Sequence, residues 1–233
     1  MKKIIAILAA LTMVFSMSIT SFAAELVSVN DGSDPNIPVC NIVAQHTGHG
    51  DAVITGAELP QGFAFKISAT HNGNRNFIVK EYINGDERGG LLYNKIGSYA
   101  GTVLFNDGKT EAIPNYMIEV KADGDWMLTI STVTNASTFT MQGRGDKITG
   151  LIAIPSNTVA TLTHDGSSNF IVRAHRPGEK YGDLLVNTIG AYSGQVILKG
   201  KKKSMTFIEV RADGNWTIQI GGGSDPCVVP DIN

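Results

Sequence analysis

The residues best suited to chemistry in this chain are few, and most of them come in pairs. The segment "HTGHGD" places His46, His49 and Asp51 within six residues, ligand types that suit zinc or copper when a loop gathers them. The matching segment further on, "MQGRGD", keeps only the aspartate, Asp146. Three ligands leave a coordination shell incomplete, so a solvated loop is the simpler reading. Asp51 and Asp146 are the candidates for a structural calcium site, because sandwich edges readily supply the oxygen ligands that calcium prefers. Neither lies in a recognisable calcium loop, and no other cofactor is expected. "RGD" (144–146) is the known integrin-recognition tripeptide, but its counterpart reads "HGD", which points to a shared Gly-x-Gly-Asp turn. His71 and His164 occupy equivalent places, in phase with the apolar side of their strands. Each is expected to hydrogen-bond a turn at the core rim, since no nucleophile or orienting partner accompanies it.

Ligand contact has its own candidates. Sugar faces are usually met by flat exposed aromatics, and Tyr82 and Tyr116 fit that role, with Tyr93 and Tyr181 beside them. None is aromatic in both copies of the repeat described below. Asn76 and Asn169, which are shared, could contact a ligand or satisfy loop backbone groups; Asn94 and Asn187 are a second such pair. "KGKKK" (199–203) makes a basic tip that could touch anionic wall polymers or lipid headgroups, although a solvated edge accounts for it equally.

The elements that must position these residues are written twice. "IEVKADGDWMLTI" (118–130) returns as "IEVRADGNWTIQI" (208–220). A longer stretch, 70–105, lies without a gap over 163–198 at an offset of 93, with roughly half the positions identical, far beyond chance self-similarity. The chain is therefore expected to divide into a segment at 24–47, module 1 at 48–131, a linker at 132–142, module 2 at 143–221 and a tail at 222–233. A period of this size is that of a small domain rather than a solenoid repeat.

Within each module the apolar residues alternate. Strands are expected near 62–70, 76–82, 91–96, 101–105, 115–121 and 125–131, and again near 157–163, 169–175, 184–189, 194–198, 205–211 and 215–221. A further short strand after each Gly-x-Gly-Asp is allowed. No window carries a helical period, so the spacing suggests an antiparallel sandwich. In the repeated phrase, register favours a hairpin with a three-residue loop, Val210 opposite Trp216 and Ile208 opposite Ile218. Gly214 would supply the left-handed residue that such a loop ends on.

The ends set the compartment. Lys2 and Lys3, the apolar run from Ile4 to Phe15, and Ser21-Phe22-Ala23 read as a signal peptide cleaved near Ala23, too short and wrongly flanked for a membrane span. Its removal takes two lysines and no acid, leaving 17 basic against 21 acidic residues. That mild acidity argues against a nucleic-acid partner. The only cysteines, Cys40 and Cys227, flank the duplication in rhyming contexts, "GSDPNIPVC" and "GSDPCVVP". In an exported chain a lone pair suggests a disulfide, worth up to about 5 kcal/mol in the chain-entropy model. Two free thiols are the alternative.

The pattern NFIV…LLVNxIGxYxG…IEVxADGxWTI resembles that of an uncharacterised family of small modules in secreted and surface proteins of Gram-positive bacteria, here in tandem. The resemblance covers both repeats and implies an exported module without an established activity. At the level of fold alone, the layout is also similar to jelly-roll modules appended to exported enzymes, carbohydrate-binding ones among them. The expectation is thus an all-β chain of two tandem antiparallel, jelly-roll-like β-sandwich modules. It would be secreted and non-catalytic, binding cell-wall polymer, polysaccharide or a surface protein. A purely structural or protective protein comes next, and a hydrolase with a site split between the modules third. A binder should present a concave or aromatic patch; an enzyme should present a cleft with a perturbed carboxylate.

Overall fold

The computed structural model describes residues 42–86, 89–134, 139–179 and 181–221. The expected signal peptide, Cys40 and Cys227 lie outside the described residues. In the first copy the strands are β1 (Ile42–His49), β2 (Ala52–Gly56), β3 (Phe65–His71), β4 (Asn76–Ile83), β5 (Gly90–Ile96), β6 (Tyr99–Phe105), β7 (Tyr116–Lys121) and β8 (Asp125–Thr132). They make two antiparallel sheets, ordered β1-β8-β3-β6 and β2-β7-β4-β5. Apart from the β4–β5 connection, each successive strand enters the opposite sheet, which is the jelly-roll path.

The second copy repeats it with β9 (Thr140–Arg144), β10 (Lys147–Ile148), β11 (Ile152–Ala153), β12 (Thr158–His164), β13 (Asn169–His175), β14 (Asp183–Ile189), β15 (Tyr192–Leu198), β16 (Met205–Arg211) and β17 (Asn215–Ile220). Its sheets run β15-β12-β17-β9 and β10-β16-β13-β14, with β11 also paired to β16. The chain is all-β, and no helix among the described residues is long and apolar enough to cross a membrane.

The repeated phrase does not form the expected hairpin. β7 and β8 belong to different sheets, as do β16 and β17. Ile208 and Val210 therefore meet Trp216 and Ile218 across the interior, within one buried cluster. Alternation fixes which side of a strand is apolar; it does not tell whether two strands bond edge to edge or face each other across a core. The glycines of the phrase serve close approach rather than a left-handed turn. A Cβ on Gly214 would lie 2.4 Å from the amide nitrogen of Gly166, and one on Gly124 would lie 2.6 Å from that of Gly73.

Two strands exceed the expected boundaries. β1 begins inside the segment expected before module 1, and β9 takes up the last residues of the expected linker. Both are edge strands without a fully buried residue, so they carry little apolar signal. Each module encloses its own core, the first around Phe65, Phe77, Leu128 and Ile130, the second around Phe170, Val172, Trp216 and Ile218. A third, smaller cluster of Ala64, Leu104, Val133, Ile148 and Phe207 joins the modules.

Candidate functional site

Each Gly-x-Gly-Asp is a lock built around a tryptophan. Gly48 and Gly143 leave room for the indoles of Trp126 and Trp216; a Cβ would fall 2.3 and 2.5 Å from the ring. Gly50 and Gly145 turn the chain with φ near +69°, as glycine readily does, and their carbonyls accept the indole N–H at 2.8 and 3.0 Å. Asp51 then accepts the amide of Ala122 at 2.9 Å, and Asp146 that of Ala212 at 3.0 Å. The shared motif is structural, and Asp146 is too buried for its RGD to be presented to a receptor.

The proposed calcium pair does not come together, since each aspartate closes the turn of its own module. Asp146 is also taken on its second oxygen by Tyr99 at 2.8 Å and Lys95 at 2.9 Å. His46 and His49 diverge as well, His46 bonding the core hydroxyl of Tyr116 and His49 the exposed Asp125. His71 and His164 occupy the rim as expected. Each bonds a turn carbonyl, Gly97 at 3.0 Å and Gly190 at 2.9 Å, and stacks on Phe77 or Phe170 at 4.6 Å.

Of the aromatic candidates, Tyr116 cannot serve as an exposed sugar platform. It is buried at 1% exposure, as is Tyr93, because both rings fill the first core, where Tyr116 packs edge-on to Phe105. Tyr82 is half-buried and donates to Glu119 at 3.0 Å. Asn76 and Asn169 begin equivalent strands, but only Asn169 borders a large cleft.

That cleft lies between the modules and encloses about 680 Å³. One wall comes from the β4–β5 side of module 1, with Glu81, Asn94, Lys95 and Asp107; the other comes from the β13–β16 side of module 2, with Asn169, Arg173, His175, Glu209 and Arg211. Tyr181 stands at its border, 76% exposed. Arg211 reaches across from Glu209 (2.8 Å) to the carbonyl of Leu92 (3.3 Å).

Two of the buried carboxyls that line the cleft, Glu81 and Glu209, titrate in opposite directions. Burial pushes Glu81 up to about 8, outweighing the amide of Asn106 that its oxygens accept at 2.9 and 3.2 Å. That amide is presented by a turn, Asn106–Gly108, whose three residues all have positive φ. At Glu209, burial also works upward, but hydrogen bonds and charge from His175 and Arg211 overcome it and bring the carboxyl down to about 2. Arg173 makes no ion pair among the described residues.

Sequence reasoning missed this cleft because it is built from positions where the copies differ. Glu81 stands where the second copy has Ala174, and His175 where the first has Tyr82. One signal was readable: Glu81 falls in phase with the buried Phe77 and Val79, and a buried carboxyl in an apolar row marks an unusual environment. Glu209 gives no such signal, since its phase is the outward one. No known protein family and no curated protein matches the chain. Among solved structures, the major capsid protein P2 from bacteriophage PM2 is similar at a TM-score of 0.25 with 14% identity, over 75% of this chain and 92% of that one.

Proposed function

We propose that this is an exported, non-catalytic binding protein whose intermodule cleft takes a segment of a polar polymer, cell-wall polysaccharide first among them. The observation that supports this reading is the cleft itself. It offers guanidinium and amide donors in Arg173, Asn94 and Asn169, carboxyl groups of both protonation states, and the exposed ring of Tyr181 at its border. That combination suits a hydrated polyhydroxyl chain better than an apolar ligand. Co-sedimentation with purified cell wall and insoluble polysaccharides tests it. Selective pelleting is expected, reduced several-fold by Arg173→Ala and by Tyr181→Ala; a protein that stays in the supernatant with every polymer refutes it.

A second reading, a polysaccharide hydrolase, has one observation in its favour. Glu81, protonated at neutral pH, and Glu209, ionised, line the same cleft, and glycoside hydrolysis uses one carboxyl in each state. Against it, both oxygens of Glu209 are held by His175 and Arg211. Release of reducing ends from the bound polymer, lost in Glu81→Gln, would establish this reading in place of simple binding.

A further inference from the structure

The contact between the modules is made by one face of module 2 and one edge of module 1, and duplication has left a second copy of each without a partner among the described residues. In the contact, β10 and β16 of module 2 present Ile148 and Phe207 to Leu104 on β6. β6 is the edge strand of its sheet. Beside this apolar contact, Asp146 accepts the hydroxyl of Tyr99 at 2.8 Å, and the amide of Thr102 donates to the Asp146 carbonyl at 2.9 Å. All of these residues are buried or half-buried.

The counterpart of the docking face lies on module 1. Val53 stands for Ile148 and Met117 for Phe207, and Val53 pairs with Glu119 as Ile148 pairs with Glu209. Both Val53 and Met117 are open to solvent, at 68% and 41% exposure. Asp51 stands for Asp146, and its second oxygen meets no donor among the described residues. The counterpart of the receiving edge lies on module 2. There β15 is again an edge strand, Ile197 stands for Leu104 at 57% exposure, and Tyr192 stands for Tyr99. The hydroxyl of Tyr192 has no hydrogen-bond partner among the described residues. The halves of one interface, apolar contact and Asp–Tyr pair alike, are therefore repeated apart on the two modules.

We infer that the protein associates head to tail with further copies of itself, the Val53–Met117 face of one chain on the β15 edge of the next, through an Asp51–Tyr192 bond that repeats Asp146–Tyr99. The partner is a second copy because the complementary surface is already carried by this chain and is already used once within it. A heterologous contact of this kind closes into a ring or runs on as a filament, according to its rotation. The edge of β15 also offers the unpaired backbone that such additions use. The replacements between copies (Val53 for Ile148, Met117 for Phe207, Ile197 for Leu104, Thr188 for Lys95) make the contact between chains weaker than the one inside each chain.

Sedimentation velocity of the purified protein over a range of concentrations tests this. Mass should rise with concentration, and Val53→Asp or Ile197→Asp should each abolish the rise. These positions are exposed, and an unchanged circular dichroism spectrum shows that each variant folds. The deciding measurement mixes the two variants, each with one end blocked: they should pair into a 1:1 dimer and go no further. Restoring the internal residues, with Val53→Ile and Met117→Phe together with Ile197→Leu, should lower the concentration for half-assembly about tenfold. A chain that stays monomeric at its highest soluble concentration overturns the inference. So does association that survives both aspartate variants, or a mixture in which the blocked chains do not pair.

Discussion

Glu119 and Glu209 occupy the same place in the two modules, and their fates differ. On the open face of module 1, Glu119 accepts from Tyr82 at 3.0 Å and sits 3.6 Å from Lys121, a loose and hydrated arrangement. In module 2 the same strand is covered by module 1, and Glu209 is held by His175 at 3.1 Å and Arg211 at 2.8 Å with little water in reach. The scaffold is duplicated and the chemistry is not. What separates a surface carboxylate from a strongly perturbed one here is which side of the molecule its module turns towards its twin.

The comparison is most sharply broken by removing each glutamate. Glu209→Ala should destabilise the protein by about 3 kcal/mol in urea unfolding, because Arg211 loses its counter-charge and His175 its buried hydrogen-bond partner; Glu119→Ala should cost far less, its pairs being solvated. A comparable loss at both sites would show that the cleft does not differ from open surface. The tryptophan locks should behave alike in the two modules. Gly48→Val and Gly143→Val should each cost about 2–3 kcal/mol, since the added side chain overlaps the indole ring. An effect in only one module would mean that the locks are not equivalent.

Stability also depends on pH. The folded chain holds a proton on Glu81 up to about pH 8, whereas the unfolded chain releases it near the ordinary carboxyl value of 4.5. Between those limits the folded state binds more protons, so stability falls as pH rises, by up to about 1.4 kcal/mol per unit. Glu81→Gln should flatten that slope, and urea midpoints from pH 5 to 8 would reveal it. Glu209 works the other way: its contribution is present above pH 4.5 and fades as pH falls towards 2. The smallest effect belongs to the exposed His49–Asp125 contact, where His49→Ala should leave the unfolding midpoint within error.

Much of the fold was legible because jelly-roll strands alternate apolar and polar residues wherever one face meets a core. The strands holding Phe77, Leu128, Phe170 and Ile218 follow from that rule and from the repeat. Which strands bond to one another was not legible. Ile208 and Trp216 have the same phase whether they are neighbours in a sheet or face each other across it, and a short glycine turn serves both. The candidate site was less legible still. Tyr116 reads like any aromatic at a strand end, and only the packing of Phe105 against it shows that it belongs to the core. Glu209, His175 and Arg211 come together because β13 and β16 are neighbours in one sheet of module 2; what buries them is the docking of module 1 over that face, an event that no local pattern encodes.

Asp146 performs two tasks with its two oxygens. One closes the turn of module 2 on Ala212, as Asp51 does for Ala122; the other takes Tyr99 and Lys95 from module 1. The same residue thus stabilises the interior of one unit and its attachment to the other, so neither can be loosened without disturbing its twin. In folding terms this makes the pair one cooperative unit: the native chain should melt in a single transition, and the half-folded intermediate natural to a tandem repeat should stay scarcely populated.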